Sequence, residues 1–479
     1  MERRSNRSGL AAALFTLFIL TAAGCTDEDV VFRDRELFAP IQSAANGFVG
    51  YSDSTAKFTV CGNCHIGQQD QWDETAHADA WATLANSPGK QAMCEACHSV
   101  GQRGNLSTQA GGWETVKDAR YHDVQCESCH GPGLPHVQNP DAVQPLAPLH
   151  VDTGLTYGCG ECHNGTHHPF VEEWRRSGHS VAVAYPAGRP ECQQCHRGQQ
   201  VLLAWGEKSD YIEKDSAQHL AITCGVCHDS HRREFRAQLR HSVDVPRIEE
   251  HLCARCHNKR AVPDSASSQG LNPHSPESEL LIGEAGWYPP GANINPGQIL
   301  GTHGSDANPR LCTTCHVVQY QITDMATGQF VFNSTGHTFA AASCVDAQGI
   351  PVGGDCAIST TARSFKGCTA SGCHGSENAA ASAMLTASTR IRVLADQLEA
   401  MLRAVDPNLA AAGGQIDANN TQFTVAEGAY FNWRLATERG EDNADPVRKV
   451  MASTVHNPFL METLLRESMN EMRRAYNLP

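Results

Sequence analysis

Cysteine and histidine carry the clearest chemistry in this chain of 479 residues, which holds 21 Cys and 24 His. Eight Cys-x-x-Cys pairs recur, and a histidine follows each at once: CGNCH from 61, CEACH from 94, CESCH from 126, CGECH from 159, CQQCH from 192, CGVCH from 224, CARCH from 253 and CTTCH from 312. Eight such coincidences do not arise by chance. The spacing suits two thioether bonds to the vinyl groups of one haem, with the adjacent histidine falling under the iron as proximal ligand. Zinc is the competing reading, because two Cys-x-x-Cys pairs can close a Cys₄ site. Zinc sites, however, do not require a histidine at that fixed place.

The sequence CTASGCH adds Cys368, Cys373 and His374 as a wider version of the same motif. The alternative is a local disulfide beside an unrelated histidine. The expected attachment cysteines are therefore Cys61, Cys64, Cys94, Cys97, Cys126, Cys129, Cys159, Cys162, Cys192, Cys195, Cys224, Cys227, Cys253, Cys256, Cys312, Cys315, Cys368 and Cys373. Cys344 and Cys356 flank VDAQGIPVGGD, a Gly- and Pro-containing loop that can close. In a chain that passes an oxidising compartment they are expected to form a disulfide.

Nine histidines are proximal by this reading: His65, His98, His130, His163, His196, His228, His257, His316 and His374. The other histidines outnumber the irons. A second imidazole on each iron completes six-coordination and keeps the potential below that of a methionine-ligated haem. The candidates for that second position are His77, His136, His168, His179, His219, His231, His303, His337 and His456. Methionine is the weaker candidate, since none of the 9 Met sits in a ligand-like motif. Iron held by two histidines has no open position for a substrate, so no catalytic residue is expected.

The elements that must position these groups are sparse. The first seven motifs recur every 29 to 33 residues, and the last two intervals widen to 59 and 56. Amphipathic spacing predicts helices over 70–85, with His77, Trp81 and Leu84 on one face, and over 170–183. It also predicts helices over 377–404, 424–438 and 459–475, the first with a stripe of Ile391, Leu394, Leu398, Leu402 and Val405. Only 6% of residues are aromatic, so haem is expected to fill much of the core. The expected layout is a signal peptide (1–24), a linker (25–55), a seven-motif region (56–258), a Ser/Pro/Gly/Asn-rich loop or linker (259–297), a two-motif region with the disulfide (298–376), and a helical cap (377–479).

The N-terminus predicts export. Arg3, Arg4 and Arg7 precede the apolar run 9–23, too short to span a bilayer. That run ends in LTAAGC, which resembles a bacterial lipobox and makes Cys25 a candidate lipid anchor, with Thr26 favouring the outer membrane. Ordinary cleavage near Ala23 is the alternative. The net charge of −15 argues against nucleic acid as a partner.

The segment 61–140 resembles the multihaem c-type cytochromes typified by the tetrahaem cytochrome of ammonia oxidation. The matching pieces are CGNCH, WDETAHADAW, CEACHSVG and VQCESCHGPGLPH. The resemblance implies distal ligation by His77 and His136. VEEWRRSGHS, ITCGVCHDSH, LCARCHNKR, GHTF and VHNPFLMETLL are similar to pieces of larger multihaem cytochromes and imply the same for His179, His231, His337 and His456. The expected fold is mostly α with sparse secondary structure around a haem core and a helical C-terminal cap. The expected function is electron transfer along nine covalently bound haems c, by an outer-membrane lipoprotein on the periplasmic or cell-surface face. Its partners would be redox proteins, either other cytochromes or a quinol-oxidising complex, with a homo-oligomer or porin–cytochrome complex possible. Two other classes stay open. One is a reductase or oxidase of a small nitrogen or sulfur species at one five-coordinate haem. The other is a haem-packed structural subunit of a filament or porin–cytochrome complex. The Cys-x-x-Cys-Lys site of the pentahaem nitrite reductases does not occur.

Overall fold

The computed structural model describes residues 44–151, 157–207, 210–264, 271–324, 326–354, 356–370, 372–407, 416, 423–437 and 455–479. The expected signal peptide and the candidate anchor Cys25 lie outside the described residues. Among the described residues, no helix is long and apolar enough to cross a membrane.

Most attachment motifs are single turns of helix, such as Glu127–His130, Cys224–Cys227 and Cys312–His316. One turn is what the spacing demands, because residues i, i+3 and i+4 share a helix face. The two cysteines and the histidine therefore point the same way. The turn closes through the histidine N–H, which donates to the carbonyl of the first cysteine at 2.9–3.0 Å in the motifs ending at His65, His130, His163, His228 and His257. Between these turns the hydrophobic clusters are small, one comprising only Tyr51, Trp72 and Ala78.

The two helices expected before the second and fifth motifs are each broken. Ile66–Asp73 ends, Thr75 turns extended (φ −96°, ψ 161°), and helical turns resume at Ala76–Asp79 and Ala80–Ala85. Likewise Phe170–Arg175 ends, Ser177 is extended (φ −91°, ψ 158°), and a turn follows at Gly178–Ser180. The cause is the same in both. The Thr75 and Ser177 hydroxyls donate at 2.7 Å to the carbonyls of Trp72 and Trp174, competing with the helical amide for the same acceptor. The break re-aims the histidine that lies two residues further on.

The C-terminal helices are Glu377–Val405, Val425–Ala436 and Pro458–Tyr476. Each start is capped by a side chain: Ser376, Thr424 with Glu427 in a capping box, and Asn457 ahead of Pro458. Their apolar faces (Ile391, Leu394, Leu398 and Leu402; Ala429 and Phe431; Leu460, Leu464 and Leu465) are buried together in the largest cluster of the molecule. Burying each such Leu, Ile or Phe side chain is worth about 1.5–3 kcal/mol. Leu271, Leu280, Ala285 and Trp287, from the stretch 259–297, join the same cluster. Asn432 fixes the junction, accepting from Trp287 N and donating to Trp287 O, both at 2.7 Å.

Strands are few, forming three two-stranded antiparallel sheets: Tyr51–Asp53 with Phe58–Thr59, Tyr320–Thr323 with Phe330–Ser334, and Cys344–Val345 with Pro351–Val352. Cys344 and Cys356 are joined across a Cα–Cα distance of 6.0 Å. The described chain is mostly helical with sparse strands.

Candidate functional site

Eight of the nine motif histidines face a second histidine across nearly the same gap. The ring centres are 6.1 Å apart for His65 and His136, 6.1 Å for His77 and His163, and 6.0 Å for His130 and His231. They are 6.1 Å for His179 and His257, 5.8 Å for His196 and His274, and 6.3 Å for His228 and His337. The last two pairs are His303 with His374 at 6.3 Å and His316 with His456 at 6.1 Å. Metal–imidazole bonds of about 2.0 Å, plus about 1.1 Å from nitrogen to ring centre, put two imidazoles on one metal about 6.2 Å apart. Van der Waals stacking would bring them closer, as Trp81 and His122 are at 3.9 Å. Interplanar angles range from 8° to 75°, and rotation about the ligand axis leaves the gap unchanged. For the ninth motif, His168 lies close enough to His98 for their charges to interact.

Hydrogen bonds fix the tautomer of many of these rings. A ring nitrogen facing a carbonyl must be the donor, so Nδ1 carries the proton and Nε2 keeps its lone pair for a metal. Nδ1 donates to Ala80 O from His98 (2.7 Å), to Val143 O from His136 (2.6 Å) and to Ala237 O from His228 (2.8 Å). It donates likewise to Val455 O from His303 (2.6 Å), to Phe339 O from His316 (2.8 Å) and to Pro145 O from His130. Two rings face carboxylates instead: His257 with Glu277 and His231 with Asp229, both at 3.2 Å. Such partners raise the basicity of a ligating imidazole.

Burial disfavours the charged form of several rings. It pushes His163 and His179 down to about 4 and lowers His77, His130, His228 and His337. His257 moves the other way because Glu277 hydrogen-bonds it.

Glu173 anchors the backbone that carries one ring of a pair. This carboxylate is fully buried. It accepts from Ser334 Oγ (2.8 Å), Thr335 N (3.1 Å), Thr335 Oγ1 (2.7 Å) and His337 N (2.8 Å), tying the segment before His337 to the helix Phe170–Arg175.

Of the nine candidate distal histidines, seven stand opposite a motif histidine, and the charge of an eighth, His168, interacts with that of His98. His219 does neither; its ring lies by Gly188, and among the described residues it makes no ring contact with another histidine. His274 faces His196 in its place. Sequence reasoning missed His274 because it sits in LNPHSPES, a stretch with the composition of a linker. Its signal was its position shortly after a motif, like His168 after CGECH. His122 stacks on Trp81 and His167 on Phe330, so both rings are engaged elsewhere.

The donor set fits haem better than zinc. Among the described residues, the one cluster of three or more His, Cys, Asp or Glu ligand atoms is His251 with Cys253 and Cys312. Among the described residues, no Cys₄ set assembles from the eight pairs.

Residues 60–131 match the family described as cytochrome c554 and c-prime. This span holds the motifs from 61, 94 and 126 together with His77. No curated protein and no solved structure matches the chain.

Proposed function

We propose that this chain, a multihaem c-type cytochrome by its matched segment, conducts electrons through nine haems, each held between two histidines. Covalently bound haem supplies a reversible one-electron couple, its potential set by axial ligands, hydrogen bonding and burial. The residues do the rest. Each helical turn places two cysteines for thioether attachment and one histidine for the iron. A second histidine comes from a distant segment. Backbone carbonyls on Nδ1 orient the rings and leave Nε2 free. Two histidines holding each haem would leave a substrate no position on the metal, which favours a carrier over an enzyme.

The observation that carries this reading is the uniform 5.8–6.3 Å separation of eight histidine pairs. The test is to reduce the haem-loaded protein, add carbon monoxide, and assay nitrite and hydroxylamine turnover. A conduit binds no stoichiometric carbon monoxide, turns over neither substrate, and exchanges electrons rapidly with a soluble cytochrome or an electrode. Binding at one haem with fast turnover would make it an oxidoreductase.

Two further parts of the reading rest on sequence. Cys25 is the lipid anchor of an outer-membrane protein, and its partners are redox proteins. Cys25→Ala should release the protein into the soluble fraction; retention would point to a protein partner.

A further inference from the structure

We propose that residues 61–374 are three overlapping copies of one unit, so that the nine attachment sites form a line of seven with two side sites. This rests on reading the nine motifs as attachment sites. The first unit holds the motifs from 61, 94, 126 and 159. The second holds those from 159, 192, 224 and 253, sharing one motif with the first. The third holds those from 253, 312 and 368 and lacks a second motif.

Hydrogen bonds repeat between units. Trp72 Nε1 donates to Val124 O at 2.9 Å, and Trp174 Nε1 donates to Ile222 O at 2.9 Å. Val124 N donates to His77 O (3.1 Å), and Ile222 N donates to His179 O (3.0 Å). In the first and second units the tryptophan stands five residues before the histidine, and the Val or Ile stands two before the third motif. The hydroxyl-broken helix at Thr75 recurs at Ser177.

Histidine pairing repeats as well. The fourth motif's histidine faces the one from this broken helix: His163 faces His77, and His257 faces His179. In the third unit His374 faces His303, which likewise precedes the third motif. A histidine beyond the fourth motif answers the second: the charge of His168 interacts with that of His98, and His274 faces His196. The third motif's partner always comes from beyond its own unit: His231 for His130, His337 for His228, His456 for His316.

Sulfur contacts give the neighbours. First and third motifs meet through their first cysteines: Cys61 with Cys126, Cys159 with Cys224, and Cys253 with Cys312. Thr59 Oγ1 lies 3.9 Å from Cys126 Sγ, and the Cys253 and Cys312 sulfurs lie within 4.8 Å of each other. Second and fourth motifs meet through their second cysteines: Cys97 with Cys162 and Cys195 with Cys256. Cys97 Sγ also lies 3.9 Å from Glu161 O. Third and fourth motifs lie near enough for charge on Cys129 and Cys159, on Cys227 and Cys253, and on Cys315 and Cys368 to interact. These sulfurs are thiols here and stand for thioethers in the loaded protein.

The line therefore runs through the sites of His65, His130, His163, His228, His257, His316 and His374. The His98 site branches at His163, and the His196 site branches at His257. The third unit shows how a side site is lost. His77 precedes Cys126 by 49 residues and His179 precedes Cys224 by 45, but His303 precedes Cys312 by only 9. The missing length is the segment that carries the second motif. A site with one neighbour lies off the route between the others, so it serves as an extra terminal for a second redox protein partner.

Cryo-electron microscopy of the haem-loaded protein reads iron neighbours directly. Seven irons in line, with the His98 and His196 irons each adjoining one line iron, is the expected result. An unbranched row of nine would overturn the proposal. Intact mass keeps the two readings apart: fewer than nine haems defeats the attachment reading, whereas nine haems in an unbranched row defeats only this one. As a second arm, Cys192→Ser with Cys195→Ser should remove one haem and leave eight low-spin haems. Loss of the neighbouring haem on the line as well would count against a dispensable side site.

Discussion

Glu173 offers a sharp test of how a distal histidine is held. Its buried carboxylate accepts from four donors on Ser334, Thr335 and His337. Hydrogen bonds to a charged acceptor are each worth about 1.5–3 kcal/mol net, and they do not add fully. Glu173→Ala leaves four neutral donors buried without a partner, at about 1–3 kcal/mol each and less than additively, so about 3–5 kcal/mol in all. That is a large share of the roughly 5–15 kcal/mol that holds a domain. Glu173→Gln keeps the shape but turns an –NH₂ towards the donors, at a cost of about 1–3 kcal/mol. Both variants free the backbone at His337, which stands 6.3 Å from His228. The assay is denaturant unfolding followed by tryptophan fluorescence, with the low-spin fraction read from the haem spectrum. The expected result is a lower midpoint, Ala below Gln, and one haem turned high-spin and open to carbon monoxide. An unchanged midpoint with every haem low-spin in Glu173→Ala would refute the reasoning.

His274→Ala should open one haem to carbon monoxide, whereas His219→Ala should leave the spectrum unchanged; the reverse outcome would restore His219 as the ligand. Cys368→Ala should lower the intact mass by one haem, and equal haem content would make CTASGCH a chance sequence. His241 packs against Trp205, and burial together with Arg255, Arg232 and Arg240 pushes it down to about 4. Its folded pKa lies below the ordinary value of about 6.5, so the unfolded chain binds the proton first. Its contribution to stability is whole above about pH 6.5 and is lost as pH falls towards 4. Denaturant midpoints measured against pH should therefore fall less steeply for His241→Phe than for the parent; parallel profiles would count against this.

What the sequence revealed and what it hid divide by range. The helical turns at the motifs were legible because two cysteines and a histidine at i, i+3 and i+4 need only one turn. The C-terminal helices were legible because Ser376, Thr424 with Glu427, and Asn457 with Pro458 mark their starts locally. Pairing was not legible, because His228 meets His337 and His316 meets His456 only through long-range folding. His219 entered the list by number alone, and His274 was lost in a stretch whose Leu280 and Trp287 turn out to be buried core. The breaks at Thr75 and Ser177 escaped because the apolar period continues across them, while a single hydroxyl ends the helix.

The central claim is that every iron sits between two histidines. Near-infrared magnetic circular dichroism of the oxidised, haem-loaded protein tests it most directly, because charge-transfer bands separate bis-histidine from histidine–methionine and high-spin haem. The account predicts bis-histidine low-spin intensity equal to the nine haems of the nine motifs. A methionine-type band, or high-spin intensity equal to one haem, would contradict it.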